Sequence, residues 1–194
     1  DEYIGYSVTD TLKGYKTIYK LQTVPLKDLY TQRETVMIRL LKTDLKLMPG
    51  ALALLDYLYK KKMAMAVASS GERNYIKLGL NKLNIAHFFK NITCVSEVKR
   101  GKPSPDLFIE ALRKNKVKAS EAIVFEDSLS GVKAAKKAKI FCIVVPSQNK
   151  QGNNYHQADL VIDSLEKAIN FFEENPTRER FKLSLSVFVI LEKE

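Results

Sequence analysis

The chain has 194 residues, and its 45% content of apolar side chains is enough for a hydrophobic core and excludes global disorder. The net charge of +10 favours anionic partners, but the lysines are scattered without zinc-finger spacing or aromatic interleaving, which argues against specific nucleic-acid binding. No apolar run approaches the roughly 20 residues of a membrane span and no signal peptide is visible, so we expect a cytoplasmic protein, monomeric and without a membrane partner.

Residues 1–44 are predicted to be helical, because apolar side chains recur at helical spacing in TLKGYKTIYKL and in LKDLYTQRETVMIRLL. Pro25 falls between the two segments and is predicted to start the second helix. The sequence LMPG then marks a turn into a third helix, ALALLDYLYKKK.

From Met63 onward, short apolar runs alternate with amphipathic helical segments. The predicted strands are MAMAVA, NITCV, AIVFE, IFCIVV and ADLVI, and the predicted helices are SSGERNYIKLGLNKL with its cap, DLFIEALRKN, LSGVKAAKKA and SLEKAINFFEE. This alternation predicts an α/β fold, a three-layer Rossmann-like parallel sheet covered by helices on both faces, next to a small helical cap. Ligands are expected beyond the carboxyl ends of the strands.

The two cysteines, Cys94 and Cys142, both lie in predicted strands. Neither has a metal-ligand neighbour, so we expect buried, reduced thiols.

Two adjacent carboxylates, Glu126 and Asp127, follow the apolar run AIVF. One interpretation is a helix N-cap, with Asp127 or Ser128 accepting hydrogen bonds from the next turn. The other is a divalent cation, which would offset the repulsion between the two charges. This stretch alone leaves both interpretations open.

Other polar side chains follow the preceding strands. Ser69 and Ser70 precede Gly71 and a helix start, where a hydroxyl and backbone N–H groups can hold a phosphate. Lys102 lies in the loop RGKPSPD, and Asp106 can open the next helix. A hydroxyl, a cation and a carboxylate pair at one sheet edge suit phosphoryl transfer.

In this order, the sequences LMPG, MAVASS, KRGKPSPDLF and VFEDSLSGVKAA resemble the motifs of the haloacid dehalogenase superfamily, in its phosphatase and β-phosphoglucomutase-like branch. The resemblance covers roughly residues 3–175. It implies that Ser69 and the Ser70 backbone bind the transferring phosphoryl group and that Lys102 neutralises its oxygens. It also implies a Mg²⁺ ion, with Asp127 as a ligand and Glu126 as a second, water-mediated one.

The family's nucleophile is the first aspartate of a D-x-D motif at the end of the central strand, and this chain has no such motif. The resemblance begins inside the cap, so the first strand would lie upstream of Asp1 or be missing. Asp10, in TDTLKG, is expected to be a helix residue instead. The resemblance therefore implies a Mg²⁺-dependent phosphatase of a small phosphorylated metabolite, such as a sugar or nucleoside monophosphate, that is inactive as this chain alone.

Two alternatives belong to the same scaffold. A phosphosugar mutase is disfavoured because Val8 occupies the place of an arginine that mutase-type relatives use for the distal phosphate. A catalytically inactive remnant would bind anions or metal without turnover.

The organisation is therefore a partial helical cap over residues 1–44, an α/β core without its first strand over 45–176, and a tail over 177–194. Within the tail, residues 181–191 alternate apolar and other side chains and become apolar on both faces near the end. This segment is a candidate to replace the missing central strand, with Val187 and Val189 in the sheet; an edge strand or an irregular tail is the alternative.

Overall fold

The computed structural model describes residues 8–43, 45–146, 154–174, 181, 183–185 and 189–191. The N-terminal part consists of helices α1 (Val8–Ile18) and α2 (Leu26–Thr43), followed by strand β1 (Leu45–Leu47). Asp10 lies in the first turn of α1, which confirms that it is a helix residue. No helix in the described residues is both long and apolar enough to span a membrane.

The remaining elements alternate as the sequence predicts, with boundaries that differ by a few residues. They are α3 (Ala51–Lys60), β2 (Ala64–Ser69), α4 (Arg73–Lys82), β3 (Asn91–Cys94), α5 (Asp106–Asn115), β4 (Ala122–Glu126), α6 (Leu129–Lys137), β5 (Phe141–Val144), β6 (Leu160–Val161), α7 (Glu166–Glu173), β7 (Leu183–Leu185) and β8 (Val189–Leu191).

The main sheet has six strands in the order β3-β2-β7-β4-β5-β6. Every neighbouring pair in it is parallel, which confirms the predicted α/β class. Strand β4 shows how two cores form, because its alternate residues point to opposite faces. Ile123 packs in one cluster with residues of α3 and α7, and Val124 packs in the other with residues of α5 and α6.

Both clusters are fully dehydrated at their centres. Leu54 and Leu58 of α3 and Leu107 of α5 are 0% exposed. Burial of one such side chain contributes about 1.5–3 kcal/mol. The two helical layers are therefore held to the sheet by apolar contacts on both of its faces.

Strand β7 occupies the middle of the sheet although it comes from the end of the chain. Leu183 pairs with Ala64 of β2 on one side and with Ala122 of β4 on the other, and Leu185 pairs with Ala66 and Val124. A central strand satisfies backbone groups on both neighbours, which would otherwise be buried without partners.

The following strand, β8, does not continue the main sheet. It pairs antiparallel with β1, with Leu45 opposite Leu191 and Leu47 opposite Val189. The prediction that Val189 belongs to the central strand is therefore wrong, and Val187 lies outside the described residues. The physical reason is that β1 also needs a backbone partner, and β8 provides it.

Candidate functional site

Two of the predicted site residues end strands that flank β7. Ser69 is the last residue of β2, and Glu126 is the last residue of β4. Ala66 and Val124, which precede them, both pair with Leu185, so the two strand ends lie at the same edge of the sheet. Carboxyl ends of parallel strands are where such sheets bind ligands.

Ser69 lies in the turn between β2 and α4. Its hydroxyl oxygen accepts a hydrogen bond from the Gly71 backbone N–H at 3.1 Å. Helix α4 begins at Arg73, and its N-cap residue is Glu72, so neither Ser69 nor Ser70 caps the helix. The sequence therefore predicted the helix start a few residues too early, while Ser69 stays partly exposed at the sheet edge.

Lys102 is brought to the same edge by the loop that precedes α5. The residue is only 9% exposed, and its ammonium group forms an ion pair with the Glu126 carboxylate. The ammonium also lies 5.0 Å from the centre of the Phe108 ring, at a distance typical of a cation–π contact. Strand β4 and helix α5 together hold the lysine in place.

The loop that carries Lys102 is fixed by a second set of bonds. Arg100 donates to both carboxylate oxygens of Asp106, at 3.1 and 3.0 Å, and the Ser104 hydroxyl donates to the same carboxylate at 2.7 Å. Asp106 is the first residue of α5, as predicted.

Glu126 is held on both of its carboxylate oxygens. One is paired with Lys102. The other accepts hydrogen bonds from the Asp127 N–H at 3.2 Å and from the N–H and hydroxyl of Ser128, at 3.3 and 2.9 Å. Gly131 faces this carboxylate so closely that a Cβ atom there would overlap it. The absence of a side chain at Gly131 therefore makes room for Glu126.

The capping interpretation, which named Asp127 or Ser128, is confirmed for Ser128. Ser128 is the N-cap of α6, and its hydroxyl accepts from the Gly131 N–H at 3.1 Å. Asp127 is partly exposed, and its backbone carbonyl accepts a hydrogen bond from the Tyr155 hydroxyl at 2.9 Å. No local sequence signal pointed to Tyr155, because it comes from a distant loop.

The described residues include no group of three or more His, Cys, Asp or Glu side chains arranged to hold a metal ion. Glu126 and Asp127 are the predicted carboxylate ligands, and both oxygens of Glu126 already have partners within the protein. Mg²⁺ commonly binds through one or two carboxylates and fills its shell with water and substrate phosphate. The adjacent Glu126 and Asp127 carboxylates supply the type of oxygen donor that Mg²⁺ prefers.

The Cys142 thiol lies on β5, next to the strand that ends in Glu126. Both cysteines are free and buried, as predicted. Burial raises the pKa of Cys142, on β5, to about 12, and the negative charges of Glu126 and Asp159 add to the effect. A thiol with so high a pKa is not a nucleophile near neutral pH.

Helix α2 is attached to the core through α4, beside the turn that holds Ser69. The Tyr75 hydroxyl donates to the Glu34 carboxylate at 2.6 Å. Burial and this hydrogen bond raise the pKa of Tyr75 to about 12. Gly79 of α4 allows close packing, since a Cβ atom there would lie 3.2 Å from Leu45.

The comparisons with known proteins identify the family. A family model described as haloacid dehalogenase-like hydrolase matches residues 1–145. The chain therefore belongs to the haloacid dehalogenase-like hydrolases, which confirms the predicted family.

Two relatives in sequence are phosphatases by name. The chain is 38% identical over 125 residues to the bifunctional riboflavin kinase/FMN phosphatase of Arabidopsis thaliana, covering 62% of this chain and 32% of the relative. It is 37% identical over 94 residues to the validoxylamine A 7'-phosphate phosphatase of Streptomyces hygroscopicus subsp. limoneus, covering 48% of this chain and 44% of the relative. The matched part is thus less than half the length of each.

Among solved structures, a β-phosphoglucomutase from Clostridium difficile superimposes with a TM-score of 0.77, covering 91% of this chain and 79% of that one. The sequence identity is 21%, so this likeness shows the fold alone.

Proposed function

We propose that the intact protein is a Mg²⁺-dependent phosphatase of a small phosphorylated metabolite, such as a sugar phosphate or a nucleoside monophosphate. The observation that carries this proposal is that Ser69 and Glu126 end the two strands that flank the centre of the sheet, with the Lys102 ammonium paired to Glu126 at the same edge. Family membership and the two phosphatase relatives support the reaction class.

The roles follow from the chemistry of each group. The Ser69 hydroxyl and the Ser70 backbone N–H would donate hydrogen bonds to oxygens of the transferring phosphoryl group. Lys102 would neutralise the charge on those oxygens, because an almost buried ammonium interacts strongly with an anion. Asp127 and, through water, Glu126 would hold the Mg²⁺ ion, which supplies further charge neutralisation when bound.

The nucleophile would be an aspartate that ends a strand upstream of Asp1. Its carboxylate would attack the phosphorus and release the alcohol, and water would then cleave the acyl phosphate. The central position is held by β7 in this chain, and the sequence from Leu183 to Leu191 contains no carboxylate. We therefore expect this chain alone to bind phosphate without turnover.

A catalytically inactive, anion-binding module is the second candidate. The observation that favours it is the same central strand, because β7 completes the sheet without supplying an aspartate. The two candidates differ in whether an upstream strand that ends in an aspartate takes the central position that β7 holds here.

The test compares the 194-residue chain with the same chain preceded by its natural upstream sequence. We expect release of inorganic phosphate from FMN or a sugar phosphate only with the longer chain and Mg²⁺, and loss of turnover in its Lys102→Ala variant. Lys133→Ala, at an exposed position on α6, is the matched control. An upstream sequence without an aspartate-ended strand, or a longer chain that binds phosphate without releasing it, would favour the inactive module.

A further inference from the structure

A second concavity lies at the amino ends of the strands, away from the candidate phosphatase site. This groove, called the Tyr59 groove below, has a volume of about 580 Å³. It is formed by the end of α3, the start of β2 and the segment before β3, and its polar and aromatic lining includes Tyr59, Lys60, Lys62, His87, Phe88 and Lys90. The volume lies within the range of small-molecule sites, about 300–1,000 Å³.

The groove concentrates positive charge that the protein does not compensate. Lys60, Lys62 and Lys90 are exposed, and within the described part of the chain none of them forms an ion pair. No residue lining the groove carries a carboxylate. Lysines at the end of α3 also complement the helix dipole. Lys90 belongs to a different segment, so the dipole of α3 does not account for its position. Three cations around one concavity repel one another, and an anion bound there would relieve the repulsion.

The same groove presents an aromatic ring to solvent. Tyr59 is 61% exposed although it is a large aromatic residue. Its ring meets the buried Phe88 edge to face, with centres 5.8 Å apart and planes at 82°. The His87 ring also contacts the Phe88 ring, with centres 4.1 Å apart. Phe88 therefore packs against one side of the Tyr59 ring, and most of Tyr59 stays open to solvent.

We propose that the Tyr59 groove binds a nucleotide, with the base stacked on Tyr59 and the phosphates on Lys60, Lys62 and Lys90. A simple phosphate would use the lysines and leave the aromatic surface unused, and an apolar ligand would leave the charges unpaired. A nucleotide has both a flat aromatic part and adjacent negative charges, so it matches both features. This site is independent of the phosphatase proposal, because it lies at the opposite edge of the sheet.

Calorimetric titration of the 194-residue chain at fixed ionic strength tests this proposal, with ATP, inorganic tripolyphosphate and adenosine as ligands. We expect ATP to bind at least about fivefold more tightly than tripolyphosphate, because stacking of the base on the Tyr59 ring adds binding free energy. The Tyr59→Ala variant should remove that difference, and the Lys62→Glu/Lys90→Glu variant should weaken ATP binding at least about tenfold. Lys133→Glu/Lys137→Glu, which places the same charge change on exposed positions of α6, should have a much smaller effect.

Circular dichroism of each variant checks that the fold is retained. Equal affinity for ATP and tripolyphosphate, or ATP binding unchanged in Tyr59→Ala, would overturn the proposal. Loss of ATP binding in Ser69→Ala with normal binding in Tyr59→Ala would also overturn it, because the nucleotide would then occupy the phosphatase site. An oligoadenylate RNA identifies the source of the ligand: Tyr59-dependent binding tighter than that of ATP indicates an RNA strand, and Tyr59-dependent binding of ATP alone indicates a free nucleotide.

Discussion

The ammonium group of Lys102 and the carboxylate of Glu126 form an ion pair that is almost closed to solvent, with side chains only 10% and 6% exposed. Removal of one partner leaves the other charge buried and unpaired. We expect Lys102→Met to lower the free energy of unfolding by about 3–5 kcal/mol, measured by urea denaturation. The double variant Lys102→Met/Glu126→Gln should recover much of this loss.

The control for this prediction is the exposed pair Lys167–Asp163, with side chains 57% and 71% exposed. Lys167→Met should cost no more than about 1 kcal/mol. Equal losses for the two single variants would contradict the buried pair described above.

The second prediction concerns Gly131→Ala. This substitution should lower the stability of the protein, whereas helix propensity alone would raise it. Replacement of a helical glycine by alanine usually stabilises a helix by up to about 1 kcal/mol. At this position the added Cβ would overlap the Glu126 carboxylate. We expect Gly131→Ala to destabilise the protein by about 1–3 kcal/mol, measured by thermal or urea unfolding. Lys133→Ala, on the exposed side of the same helix, should change stability by less than about 0.5 kcal/mol.

The central position of β7 is tested at Ser184. Its backbone pairs with Met65 on one side and with Ile123 on the other. Proline removes the backbone N–H and is not tolerated in the middle of a sheet, so Ser184→Pro should cost about 3 kcal/mol or more. Ser184→Ala keeps the N–H and should cost far less. Equal urea midpoints for the two variants would show that β7 is not an interior strand.

Glu97 provides a prediction about pH. Burial alone would raise the pKa of its carboxyl, but hydrogen bonds from Lys114 and from the side chain and backbone of Cys94 outweigh burial and lower the pKa to about 2. Arg73 also pairs with this carboxylate. A lowered native pKa means that the stabilisation is fully present above the ordinary value of 4.5 and is lost as the pH falls toward 2.

We expect the stability of the wild-type chain to fall between pH 5 and pH 2.5 and that of Glu97→Gln to fall less steeply. Urea midpoints across this pH range measure the difference. Parallel pH profiles for the two proteins would rule out the ion cluster around Glu97 as a source of acid sensitivity. Asp163→Asn, which removes an exposed carboxylate, is the matched control.

The sequence alone predicts the main helices and strands because each has a local cause. The strand before Glu126 is an apolar run, and α6 begins where Ser128 can cap it. The positions of Ser69, Lys102 and Glu126 after successive predicted strands also predict that they meet at one edge of the sheet; the sheet register agrees for Ser69 and Glu126, and the ion pair with Glu126 agrees for Lys102. The helices and strands depend on residues close together in the chain, and the shared edge follows from the general rule that parallel strands end on the same side of a sheet.

Other features have no local signal. Strand β1 pairs with β8, which is far away in sequence. Each strand has only three residues, too few for the sequence pattern to predict the pairing. The alternating tail also does not reveal which of its parts enters the main sheet. Similarly, the neighbouring acids Glu126 and Asp127 look equivalent in sequence, and only their three-dimensional partners show that Lys102 pairs with Glu126.

The place of β7 in the main sheet has a consequence for biosynthesis. The ribosome makes β2 and β4 before it makes β7, the strand that joins them. Until β7 pairs with them, the facing edges of β2 and β4 have backbone N–H and C=O groups without partners. Translation that stops before Leu183 would therefore yield a product that tends to aggregate, and the cell would have to shield the growing chain until β7 has emerged.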